Sequence, residues 1–150
     1  MDSIIEFSLQ GNIELPKFFD KKIITEWLDV IADYYNKELG EIEFIFCDDD
    51  EILKINVEYL NHDYFTDVIT FDYCVDNILN GEIFISLDTV LSNSQKYNTD
   101  FKEEFYRIIC HSILHLIGFK DKTELDSGVM TENENNCLNL LKKMILINDK

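Results

Sequence analysis

Apolar residues Ile23, Ile24, Trp27, Leu28, Ile31 and Tyr34 recur at spacings of three and four, which places them on one face of a helix from Phe18 to about Gly40. Before it, Ile4–Leu9 has the β-branched and aromatic character of a strand, and Asn12–Pro16 reads as the connection. After it, Ile42–Phe46 starts in alternation with Glu41 and Glu43 and then turns apolar, as a half-buried strand does. Asp48, Asp49, Asp50 and Glu51 set carboxylates where a helix amino terminus favours them, ahead of a short helix through Ile52, Leu53, Ile55, Val57 and Leu60. The acidic run also offers calcium-type ligands, but it lacks the glycine and spacing of a calcium loop, so a cap is expected.

Val68–Tyr73 and Glu82–Leu87 are rich in β-branched and aromatic residues, and the stretch from Asp76-Asn77 to Asn80-Gly81 supplies turn chemistry for a hairpin between them. Asp88–Tyr97 reads as a helix. Thr99-Asp100 opens another, with Asp100 and Glu103 spaced as cap and third residue, and Phe101, Phe105, Ile108, Ile109 and Leu116 on its apolar face. Gly118 is placed to end that helix in a left-handed conformation. Thr123–Ile147 reads as a last helix, interrupted near Gly128. The sum is one α+β (mixed α/β) domain over residues 1–150, with an early helical crossover, about four strands in a mixed sheet and about five helices.

Composition supports one folded domain. The 150 residues are 46% apolar and include 11 Phe and 7 Tyr, too hydrophobic for a disordered chain, while one Pro and five Gly leave little for linkers. Met1-Asp2-Ser3 lacks the basic region of a secretory signal, and no apolar run approaches the ~18 residues of a membrane span. A soluble, cytoplasmic protein is expected. Cys47, Cys74, Cys110 and Cys137 are scattered without a C-x-x-C pair, as reduced core cysteines are. The net charge of −17 opposes nucleic-acid binding unless a local basic patch or a bound divalent cation reverses the field within one cleft.

Candidate chemistry centres on two of the three histidines. His111 and His115 are four residues apart on a helix, so both rings emerge on one face, one turn apart, able to grip a single cation. The stop at Gly118 turns the chain back, which can bring the Asp121 carboxylate to the same point. The spacing His111, His115, Gly118, Asp121 is that of the long metzincin zinc motif with Asp in place of its last His. Three N and O ligands leave one position open, the mark of a catalytic rather than a structural zinc site. Such an ion makes water acidic enough to ionise near neutral pH, so hydrolysis is its natural use. A conventional zinc peptidase is disfavoured, because its general-base Glu follows the first His and here that residue is Ser112.

The string His111-Ser112-Ile113-Leu114-His115-Leu116-Ile117-Gly118-Phe119-Lys120-Asp121 resembles the H-G-x-L-H-L-x-G-Y-D-H hallmark of the YbeY-type endoribonucleases. Phe65-Thr66-Asp67-Val68-Ile69-Thr70-Phe71 is similar to that family's P-T-D-V-L-S-F segment, and Gly81–Ser86 to its G-D-I-x-I-S strand. The resemblance implies a metal-dependent, single-strand-preferring endoribonuclease of ribosomal RNA maturation and quality control, with zinc held by His111, His115 and Asp121. It implies ribosomal RNA and the small ribosomal subunit, or its basic proteins, as partners, and neither DNA nor membrane. Three positions depart from the pattern. Asp121 replaces a histidine and is a harder ligand; Ser112 replaces a glycine; Leu60 stands where the family has an arginine that would face phosphate.

Thr66, Asp67 and Thr70 belong to the segment expected to face substrate. Asp67 reads either as a substrate contact or base, or as a turn or cap residue before its strand. His62 reads either as a substrate or proton-transfer group or as a surface loop residue. No acid–base partner for the leaving group is identified. Two rivals share the metal site: a ribosome-associated binding protein whose metal ties helix to loop, suited by the acidic surface, and a metal-dependent hydrolase of other substrates.

Overall fold

The structure, a computed structural model, describes residues 3–60 and 66–148. Its elements run β1 (Ile4–Gln10), α1 (Lys21–Tyr34), β2 (Glu38–Cys47), α2 (Asp49–Leu60), β3 (Val68–Asp72), β4 (Ile78–Ser86), α3 (Leu87–Lys96), α4 (Phe101–Ile117) and α5 (Glu124–Asn148). The four strands form one mixed sheet in the order β1-β2-β4-β3. β1 and β2 are parallel across the α1 crossover, β2 and β4 are parallel, and β3 pairs antiparallel with β4 at the edge.

Alternation along the strands builds two layers. Ile42, Phe44 and Phe46 of β2 and Leu79, Ile83 and Ile85 of β4 point to one face, where α1, α4 and α5 bury Trp27, Phe105, Ile109 and Leu141 against them. The other face carries Cys47 and Ile69, which α2 covers with Ile52 and Ile55. The Trp27 indole donates to the Cys137 carbonyl at 2.8 Å and so ties α1 to α5. Cys47, Cys110 and Cys137 are buried and all four cysteines are free.

The helix predicted to reach Gly40 stops at Tyr34. Asn36 is left-handed (φ 59°), and the Lys37 amide donates back to the Ala32 carbonyl, so an asparagine ends the helix where a glycine was expected. Gly40 instead lies in β2, which begins at Glu38. The hairpin turn is also shorter than predicted. Asp76 is left-handed and Val75 bridges Ile78, so β4 begins before Asn80-Gly81. Asp100 precedes α4 without a side-chain cap bond. α5 passes Gly128 unbroken, an exposed helical glycine at modest cost. Asp48 does cap α2: its carboxylate accepts from the Glu51 and Asn12 amides at 2.9 and 2.8 Å.

Gly81 decides how closely β3 and α4 approach. A Cβ there would lie 2.7 Å from the Phe71 carbonyl and 3.2 Å from a Leu116 methyl. Gly81→Ala is therefore expected to destabilise the fold by ~1–3 kcal/mol, the cost of overpacking against backbone, measured by urea unfolding.

Candidate metal centre

α4 carries the site because its flanks are locked. Ile109, Cys110, Ile113 and Leu114 are fully buried, which turns the opposite stripe, His111 and His115, towards the cleft beside β3. Ser112 is buried as well, and its hydroxyl donates to the Ile109 carbonyl at 2.6 Å. The position that holds a peptidase's glutamate thus faces the core, away from any substrate.

The helix ends in a Schellman turn. Gly118 has φ +124°, its amide donates to the His115 carbonyl, and the Phe119 amide donates to the Leu114 carbonyl. This turn aims the Phe119 carbonyl back at His115 Nδ1, 3.0 Å away. It also returns Asp121 to the helix: Asp121 Oδ2 lies 3.4 Å from His111 Nε2 and 3.3 Å from His115 Nε2. The two Nε2 atoms are 3.0 Å apart.

Hydrogen bonding fixes what these atoms are. A carbonyl only accepts, so His115 Nδ1 carries the proton and its Nε2 presents a lone pair. His111 Nδ1 meets Glu134 Oε2 at 2.6 Å. Burial alone would raise the Glu134 pKa, but hydrogen bonds from His111 and Arg107 hold it below the ordinary carboxylate value. Glu134 is therefore an ionised acceptor, and a neutral His111 also presents its Nε2 lone pair. With the Asp121 carboxylate, three lone-pair donors converge and repel unless a cation lies among them.

Their spacing suits a metal ion. Ligands bonded to a tetrahedral zinc ion at ~2.0–2.1 Å stand ~3.3 Å from one another, against the 3.0, 3.3 and 3.4 Å found. Without a metal the same convergence attracts a proton. Burial disfavours the charged His111 ring, yet Glu134, Asp121 and Asp67 together raise its pKa. Asp121 is the most exposed of the three candidate ligands, so one side of the site opens to solvent.

Two clefts meet here. One, of about 410 Å³, runs between α2 and β3, with Asn56, Leu60, Thr66, Asp67, Thr70 and Asp72 on its walls. The other, of about 280 Å³, lies among α3, α4 and α5, with Asn93, Glu104, Arg107 and Glu134. Asp67, His111 and Asp121 border both. Burial raises the Asp67 pKa, and His111 offsets this in part. Thr66, Asp67 and Thr70 are thus brought to the site; His62 falls in residues 61–65, outside the described ones. Leu60, at the position of the family's arginine, presents an apolar side chain to the same cleft.

Glu134 and Arg107 were not singled out from the sequence. The signal was a carboxylate on the buried stripe of α5, in phase with Met130, Cys137, Leu138 and Leu141.

A helix presenting two imidazoles, with a carboxylate returned by the next loop beside an open cleft, is the arrangement of a single-ion metallohydrolase. The chain belongs to the YbeY family: the model described as Endoribonuclease YbeY matches residues 7–142. It is 47% identical over 130 residues to Endoribonuclease YbeY of Parabacteroides distasonis, covering 87% of this chain and 91% of that protein. It is 46% identical over 139 residues to the Bacteroides fragilis protein of that name, covering 93% and 99%. The solution structure of TM1509 from Thermotoga maritima matches with a TM-score of 0.67 over 97% of this chain and 93% of that one, at 23% identity, a likeness of fold. Among the described residues no helix is long and apolar enough to cross a membrane.

Gly118→Ala would force a side chain into the left-handed region at ~1–2 kcal/mol with no steric contact to blame. The expected outcome is a lower melting temperature together with weaker metal binding, because Asp121 and the Phe119 carbonyl depend on that turn.

Proposed function

We propose that the chain is a metal-dependent endoribonuclease that cuts single-stranded segments of ribosomal RNA during ribosome maturation and quality control in the cytoplasm. The convergence of His111 Nε2, His115 Nε2 and Asp121 Oδ2 where two clefts meet carries this reading. A site bordered by two clefts would admit a strand that continues past the reacting phosphate, as an internal cut requires. The relatives' name, Endoribonuclease YbeY, supports the substrate class.

His111, His115 and Asp121 would hold the ion, and zinc suits the donor set, although the Asp121 oxygen also suits harder divalent cations. When bound, such an ion supplies Lewis acidity at the phosphate and a nucleophile at neutral pH. The chain's own residues do the rest. β3 is an edge strand, and among the described residues β4 is its only partner strand, so its outer edge would position an extended backbone. Thr66 and Thr70 add hydroxyls along that wall. Asp67, which borders both clefts and whose carboxyl burial holds above the usual range, would exchange a proton with the reacting oxygens.

Charge explains why the ion is indispensable. The cleft beside β3 has Asp67, Asp72 and Asp121 among its described residues and neither Lys nor Arg, so it repels RNA until a divalent cation is present. The solvent face of the sheet adds Glu6, Glu43 and Glu82 abreast on β1, β2 and β4. That row suits docking to basic proteins of the small ribosomal subunit rather than to RNA.

His115→Ala, purified without chelators, is expected to lose its metal by elemental analysis and to lose cleavage of single-stranded ribosomal RNA fragments. Chelator-stripped wild type is expected to bind those fragments more weakly than the loaded protein. A variant that lost metal and still matured ribosomal RNA in cells would exclude catalysis at this site.

A further inference from the structure

Glu134 stands outside the three-ligand set, on a different helix, yet its carboxyl-bearing side chain belongs to a residue only 8% exposed. A carboxylate is buried at that depth only where other groups hold it. Glu134 Oε1 accepts from Arg107 Nη1 at 2.9 Å, and Oε2 accepts from His111 Nδ1 at 2.6 Å. Arg107 is itself braced, because its Nη2 donates to Asn135 at 3.0 Å. Both oxygens are committed, and the guanidinium fixes the carboxylate's orientation before any ion arrives.

Resting on the metal reading above, we infer that Glu134, clamped by Arg107, is a positioning residue that sets the affinity of the site for its divalent cation. Its means is the tautomer. An imidazole whose Nδ1 has no acceptor divides its proton between the two nitrogens, and each molecule protonated at Nε2 has no lone pair for the ion. Glu134 removes that freedom at His111, and the Phe119 carbonyl removes it at His115. The two supports differ in kind: His115 depends on a turn within its own segment, whereas His111 depends on α5, 23 residues away. The docking of α5 against α4 is thereby coupled to metal occupancy.

The test is a zinc titration of chelator-stripped protein against a chromophoric competing chelator, with wild type, Glu134→Gln and His115→Ala compared. Glu134→Gln keeps the shape and removes the charge. Zinc is expected to bind it ~10–100-fold more weakly than wild type, and His115→Ala more weakly still. Long-range proton–nitrogen spectra of the stripped proteins, recorded at alkaline pH where the His111 ring is neutral, read the mechanism directly: His111 is expected as the Nδ1–H tautomer in wild type and as a mixture in the variant. Circular dichroism separates these effects from misfolding. Should Glu134→Gln fail to fold, Arg107→Gln, which leaves the carboxylate but frees its orientation, is expected to weaken zinc binding in the same direction. Zinc affinity of Glu134→Gln within two-fold of wild type, or an unchanged His111 tautomer, overturns the inference and leaves the metal site standing. Wild type that binds no zinc overturns the metal reading itself.

Discussion

Three acceptor atoms converge at the end of α4, and the surrounding structure is arranged to keep them there. His111 Nε2, His115 Nε2 and Asp121 Oδ2 stand 3.0–3.4 Å apart, so the arrangement is repulsive unless a cation or a proton lies among them. Something must hold it. Burial of α4 on the sheet side fixes the direction of both rings, the Gly118 turn fixes the carboxylate, and α5 fixes the tautomer of the first ring. Each support belongs to a different layer of packing, which makes the site a property of the whole domain.

Much of this was legible because it is local. The pair at i and i+4 needs only helical geometry, and the Gly118 stop needs only a residue that tolerates positive φ. The strands were legible where side chains alternate, as in β2 and β4. What escaped depends on partners distant in sequence. α1 ends at Asn36 and not at Gly40, since both residues tolerate a left-handed bond and only the pairing of Glu38 with Ile78 decides between them. Asn80-Gly81 has turn composition but serves in a strand: the Asn80 side chain accepts from the Glu41 amide, and Gly81 lets Leu116 approach. Glu134 was hidden for the same reason, because only its place opposite α4 distinguishes it from its neighbours Glu132 and Asn133.

Asp67 stands at the entry to β3. Its carbonyl accepts from the Ser86 amide, and its carboxylate accepts from its own amide and that of Val68, the local pattern of an aspartate before a strand. Its side chain nevertheless borders both clefts, and its pKa responds to burial and to His111. The backbone of this residue secures the start of β3 while its side chain lies between two clefts.

With Asp121 where the family pattern has a histidine, the proposed metal centre would differ in electrostatics as well as in ligand chemistry. With both imidazoles neutral, three histidines around a divalent ion would keep two positive charges, whereas one carboxylate among the ligands leaves one. In a chain of net charge −17 that remaining charge has to draw in RNA past Asp67 and Asp72, with an apolar Leu60 where the family pattern has an arginine. Attraction would then act only within ~8–10 Å of the ion, since salt screens longer reach and the acidic surface opposes it. On the reading proposed above, such a site would not gather RNA from solution but would act on a strand delivered to it. Docking to a basic partner would remove the need for a basic surface.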